Sequence, residues 1–74
     1  MGVSLITAII LKNSKVEVSI QGPDKKGLFS GVIGHMENGH YRLDITTDFC
    51  FKSKTAAWKG TRAIVKEIKG LKVP

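Results

Sequence analysis

The sequence predicts a small antiparallel β domain, and three observations carry that expectation. From Val16 to Gln21 apolar and polar residues alternate, Val16, Val18 and Ile20 against Glu17, Ser19 and Gln21, which is the period of a half-buried strand. Leu28 to Met36 is a second apolar run that contains Gly31 and Gly34. Glycine inside a strand marks a bend, a bulge or the close approach of another backbone. Asn38-Gly39 then separates that run from an alternating stretch beginning at Tyr41, and Asn-Gly between two strand patterns is the strongest short hairpin signal.

The other segments follow in chain order. Ser4 to Asn13 reads two ways. Ser4 can cap a short helix with Leu5, Ala8, Ile9 and Lys12 on one face and Asn13 as terminator, whereas the β-branched Ile6, Thr7, Ile9 and Ile10 favour a strand. Gly22-Pro23-Asp24 supplies turn chemistry and leaves Lys25 and Lys26 at an exposed tip. Tyr41, Leu43, Ile45, Thr47, Phe49 and Phe51 alternate with Arg42, Asp44, Thr46, Asp48 and Lys52, a run long enough for one strand or for two joined near Thr47-Asp48. That alternation sets Tyr41 on the apolar face, and Trp58 is expected in the core or a subunit contact.

The last third stays open by pattern alone. Ala57, Thr61, Ile64, Ile68 and Leu71 fall at helical spacing, with Gly70 as a C-cap. Against a helix stand Gly60, which costs about 1 kcal/mol relative to alanine inside one, and Lys54, which would occupy a first turn that favours acids. The strand reading takes Ala56 to Lys59 and Arg62 to Ile68 as strands with Gly60 as the corner between them.

Composition narrows the function. The chain has 74 residues, so one domain, and its 12 Lys+Arg against 6 Asp+Glu give a formal charge of +6. Such an excess attracts polyanions, nucleic acid first, although it also serves solubility. Cys50 is the only cysteine, which excludes an intramolecular disulfide and a cysteine-based zinc site. His35 and His40 with Glu37 lack the further ligands nearby that a metal site needs. No nucleophile elbow, phosphate-binding glycine loop or carboxylate pair stands out, so no enzyme, cofactor or small-molecule substrate is expected. The apolar run Val3 to Leu11 is too short for a bilayer and does not read as a signal peptide, which makes a soluble cytoplasmic protein with no membrane partner the default.

Two blocks of residues resemble a known family. Val16-Glu17-Val18-Ser19-Ile20, Gly31, Ile33, Glu37 and Leu43-Asp44 match the first block of the Sm/Lsm/Hfq family of small RNA-binding barrels, with a hairpin one residue short that puts His40 where asparagine is usual. Lys59-Gly60 before Ala63-Ile64-Val65 resembles the second block, with lysine in place of arginine, a swap that loses planar stacking and forked donors. The resemblance implies an all-β fold: a five-stranded, strongly bent antiparallel barrel with a helix over residues 4–12, strands over 15–68 and a tail over 69–74 in a single domain, 1–74. It also implies a homo-oligomeric ring of about five to seven copies that binds single-stranded, uridine-rich RNA at its inner rim through Asn38, His40, Lys59 and Gly60. Two other readings compete. One is an α+β protein-interaction or inhibitor module with a C-terminal helix; the other is a monomeric basic barrel that binds duplex DNA nonspecifically, in which Lys25, Lys26, Lys52 and Lys54 matter more than Lys59.

Overall fold

The structure is a computed structural model that describes residues 4–72. Helix α1 (Leu5–Lys12) is followed by strands β1 (Val16–Gln21), β2 (Ser30–Glu37) and β3 (His40–Thr46), and helix α2 (Lys54–Gly70) closes the chain. The ends of the expected single domain, residues 1–3 and 73–74, lie outside the described residues.

At the N-terminal end the cap decides between helix and strand. Ser4 Oγ accepts from the Thr7 backbone N–H at 3.1 Å, and Asn13 Nδ2 donates to the Ile9 carbonyl at 2.9 Å, so both ends of α1 satisfy groups a short helix leaves open. The β-branched residues lose to these caps and to the burial of Ala8 and Leu11.

The sheet is open and antiparallel in the order β1-β2-β3. Val16 pairs with His35 and Gln21 with Ser30, which sets Val18 beside Ile33 on the face that the helices cover. On the other side of β2, Glu37 pairs with His40 and Gly34 with Leu43, but Ile33 pairs with Ile45, so Asp44 is an extra residue in β3. This bulge breaks the alternation read from the sequence. Ile45 enters the core while Tyr41 and Leu43 turn to the opposite face, and Tyr41, expected in the core, is 45% exposed with its ring lying over Gly34.

The five-stranded barrel is not formed: the fold is α+β, with an open three-stranded sheet and a 17-residue C-terminal helix. The stretch expected as strands between Ala56 and Ile68 is helical because Ser53 Oγ caps the Ala56 N–H at 3.0 Å and because Ala57, Thr61 and Ile68 bury one stripe against the sheet. Gly60 is no corner. A Cβ there would come within 2.5 Å of Phe51 Cε1, so the helix gives up about 1 kcal/mol of propensity and gains the packing of that ring. The helix also runs through Lys69 and Gly70, the start of the expected tail.

Gly31 lets α2 lie close against the open sheet. A Cβ on Gly31 would lie 1.7 Å from Thr61 Oγ1, so the glycine marks the close approach of α2 to the central strand rather than the curvature of a closing barrel. The core beneath this crossing is Ala8, Leu11, Ile33, Ile45 and Ile68, flanked by Val16, Ile64 and Val65.

Lys69 ties the two helices together. Its Nζ donates to the carbonyls of Leu11 at 2.8 Å, Lys12 at 3.0 Å and Ser14 at 2.7 Å, which satisfies acceptors at the C-terminal end of α1 and places a cation where the helix dipole favours it. Because the side chain is partly open to water, Lys69→Ala is expected to cost only about 1 kcal/mol. Urea denaturation checks it, and Lys69→Met should lose as much as alanine if the carbonyl contacts rather than the methylenes matter.

Among the described residues no helix is long and apolar enough to cross a membrane.

Candidate nucleic-acid interface

The 22–29 loop is built to hold two lysines at its tip. Asp24 Oδ1 accepts from the backbone N–H of Lys26 at 2.9 Å and of Leu28 at 2.8 Å, and the Asp24 N–H donates to the Leu28 carbonyl at 2.9 Å. Gly27 takes the positive φ of +78° that the turn requires. Lys25 and Lys26 are left exposed at the apex.

The base of this loop is pinned beside the start of α2. Phe29 N–H donates to the Phe51 carbonyl at 2.7 Å and Phe51 N–H returns to the Phe29 carbonyl at 3.1 Å. Lys52 and Lys54 follow directly, so this bridge joins the loop that carries exposed Lys25 and Lys26 to the segment that carries exposed Lys52 and Lys54. No acid occupies the first turn of α2. Lysines therefore stand beside the positive end of a helix dipole, an arrangement unfavourable to helix stability and favourable to an incoming anion.

The stripe continues along the outer face of α2. Trp58 and Arg62 follow Lys54 at intervals of four, and the Arg62 guanidinium carbon lies 5.7 Å from the Trp58 ring centroid. Trp58, expected in the core or a subunit contact, is outside the core of this chain and 45% exposed, because the neighbouring stripe of Ala57 and Thr61 makes the contact with the sheet. Lys59, Arg62, Ala63 and Lys66 line a shallow groove on the same helix.

The four residues expected at an RNA rim fall in two places. Asn38, at φ +52°, and Gly39, at φ +79°, form the β2–β3 turn, with His40 exposed and paired with Glu37 at the start of β3. Lys59 is exposed midway along α2, and Gly60 lies under Phe51. Phe51 bridges to Phe29 at the beginning of β2, while the turn lies beyond its other end, roughly 25 Å away at strand rise. Within one chain, then, the structure brings Lys59 and Gly60 together and keeps Asn38 and His40 apart from them.

A second polar cluster surrounds the bulge. His35 is buried, its Nδ1 donating to Asp44 Oδ2 at 2.6 Å, with Glu37 Oε2 at 3.6 Å from Nε2 and at 3.4 Å from Arg42 Nε. Among the described residues no three His, Cys, Asp or Glu side chains are grouped as metal ligands would be. Cys50 is free and exposed.

The sequence names Lys25, Lys26, Lys52 and Lys54 together only in the duplex-DNA reading, and nothing in their spacing joins the first two to the last two. Lys-Ser-Lys directly before an amphipathic run is the one local sign of an interface, since serine there is a helix cap and lysine beside it is out of place. Comparison with family models, curated proteins and solved structures found no match to this chain.

Proposed function

We propose that this chain is a binding module for double-helical nucleic acid, RNA duplex foremost, which holds phosphates and does not read base sequence. The observation that carries the reading is the Phe29–Phe51 bridge, which joins the loop bearing Lys25 and Lys26 to the segment bearing Lys52 and Lys54 at the N-terminal end of α2. All four are lysines, flexible point charges without the fixed donor fork of arginine, so the contacts suit backbone phosphates. Phosphates flanking the deep, narrow major groove of an A-form helix stand close across that groove, where side chains cannot reach the bases. A compact basic end formed by a loop and a helix tip fits that surface, and Trp58 with Arg62 extends the contact along α2. The cytoplasm belongs to the same reading, because an exposed lone thiol such as Cys50 persists in a reducing compartment.

Titration of labelled RNA duplex, DNA duplex and single-stranded RNA at two salt concentrations tests the proposal. RNA duplex should bind tightest, with a log–log salt slope of about −3 to −4 if each of the four lysines neutralises one phosphate. Absence of binding at low salt, or preference for the single strand, would overturn it.

One substitution separates function from stability. Lys54→Glu puts an acid in the first turn of α2 and should stabilise the fold by about 0.5 kcal/mol through the helix dipole while weakening duplex binding. Thermal melts and titrations of the same sample measure the two effects. Loss of both stability and binding would mean that Lys54 is structural.

A further inference from the structure

We infer that Trp58 is a stacking site for an unpaired nucleobase at the end of a duplex. The inference rests on the phosphate-binding reading above and adds to it a preference for duplexes that carry a single-stranded overhang. Trp58 is the only tryptophan of the chain and is 45% exposed. It follows Lys54 by four residues, about 6 Å along α2, so the ring stands beside the helix tip at which phosphates are held. Arg62 comes one turn later, with its guanidinium carbon 5.7 Å from the ring centroid, a cation–π contact that holds the indole in place. No ion pair among the described residues engages Arg62. The shallow groove that contains Lys59, Arg62 and Lys66 has no acid in its lining, so the cationic surface continues past the ring.

Packing does not account for a tryptophan at this position. Ala57 and Thr61 make the contact with the sheet, and tryptophan is a poorer helix former than alanine, so an exposed ring here breaks a local rule without a gain to the core. The other exposed aromatic rings have different surroundings: Tyr41 lies over Gly34, and Phe49 directly follows Asp48. An aromatic ring set among cations, held by one of them and open to water, is the arrangement that stacks nucleobases. Within an A-form duplex the base faces are covered by neighbouring pairs, and the deep, narrow major groove keeps side chains from the base edges. A nucleotide beyond the last pair can turn a free face to the ring. A duplex with an overhang therefore supplies phosphates to the lysines and a base to Trp58, whereas a blunt duplex engages the lysines alone.

The test uses three labelled RNAs built on one short duplex: blunt, with an overhang of a few nucleotides, and with the same overhang made abasic. Label anisotropy at low salt reports binding, and the emission of the single tryptophan reports stacking. The wild type should bind the intact overhang roughly tenfold tighter than the abasic one, which keeps the phosphates, and only the intact overhang should quench the emission. That comparison needs no variant. Trp58→Ala, with unchanged circular dichroism, should bind the intact and abasic overhangs alike and the blunt duplex as the wild type does. Equal wild-type affinity for intact and abasic overhangs, or a preference that survives Trp58→Ala, would overturn the inference, and continued binding of the blunt duplex would then leave the phosphate reading standing. Absence of binding to all three RNAs would remove the phosphate reading and this inference with it. A blue shift of the emission on anionic vesicles, with RNA binding indifferent to the overhang bases, would assign Trp58 to a membrane surface and also overturn it.

Discussion

Gly31→Ala is expected to destabilise the fold by roughly 3 kcal/mol or more, the upper range for overpacking a filled core. The added Cβ would meet three atoms of the Thr61 side chain, the nearest at 1.7 Å, and both residues are fully buried or nearly so in regular backbone that cannot move alone. Helix and sheet must separate to admit the methyl group, which loosens the packing around Ile33. Urea denaturation measures the loss, and a cost below about 1 kcal/mol would mean that α2 does not cross β2 at this point. Gly31→Ala with Thr61→Gly should recover part of the loss, since the obstructing atoms are gone, giving a coupling of about 1 kcal/mol or more. Thr61→Ala alone should be almost neutral for so buried a residue. Its Oγ1 has no hydrogen-bond partner among the described residues, so relief of that unpaired hydroxyl offsets the lost methyl packing.

The largest functional effect should come from Lys52→Glu together with Lys54→Glu, which reverses two of the four charges that gather at the loop and the helix tip. At roughly 1 kcal/mol for each phosphate left without its lysine, and more for the repulsion added, affinity for an RNA duplex should fall about 100-fold or more, and the salt slope should shrink by about two. Lys25→Glu with Lys26→Glu should do the same from the other element. His40→Ala, at the far turn, should change little. Equal losses at His40 and at Lys52 would mean diffuse attraction to a positive molecule and no defined interface.

Much of the fold is legible in the sequence, and the failures have physical causes. Val16 to Gln21, the second apolar run and the Asn38-Gly39 turn announce three antiparallel strands because each signal is local: alternation, or a backbone that needs positive φ. Ser4 is a legible cap for α1, but the β-branched residues after it leave helix and strand both open to local pattern. The last third is not decidable, because Gly60 argues locally for a corner and its value as a landing place for Phe51 exists only once the chain has folded. Gly31 misleads in the same way. The resemblance to a bent barrel makes it a point of curvature, whereas its neighbour is Thr61, thirty positions on and invisible to any local pattern. The Asp44 bulge reverses the faces of Tyr41 and Leu43, since an extra residue in one strand leaves no mark in the composition of either.

The candidate interface is half visible for the same reason. Net charge points to a polyanion, and Lys25, Lys26, Lys52 and Lys54 can be named as a set in one competing reading. What makes them one surface is the pair of hydrogen bonds between Phe29 and Phe51, a contact across 22 positions that no spacing rule supplies. The Trp58–Arg62 stack depends in turn on residues 54–70 being a helix.

The most direct measurement is an amide-by-amide nuclear magnetic resonance titration of the chain with a short RNA duplex. The proposed interface requires the largest shifts in the loop from Asp24 to Leu28 and in the segment from Lys52 to Trp58 that enters α2, fading as salt is raised. Shifts centred on the turn from Asn38 to His40, or none at low salt, would contradict it.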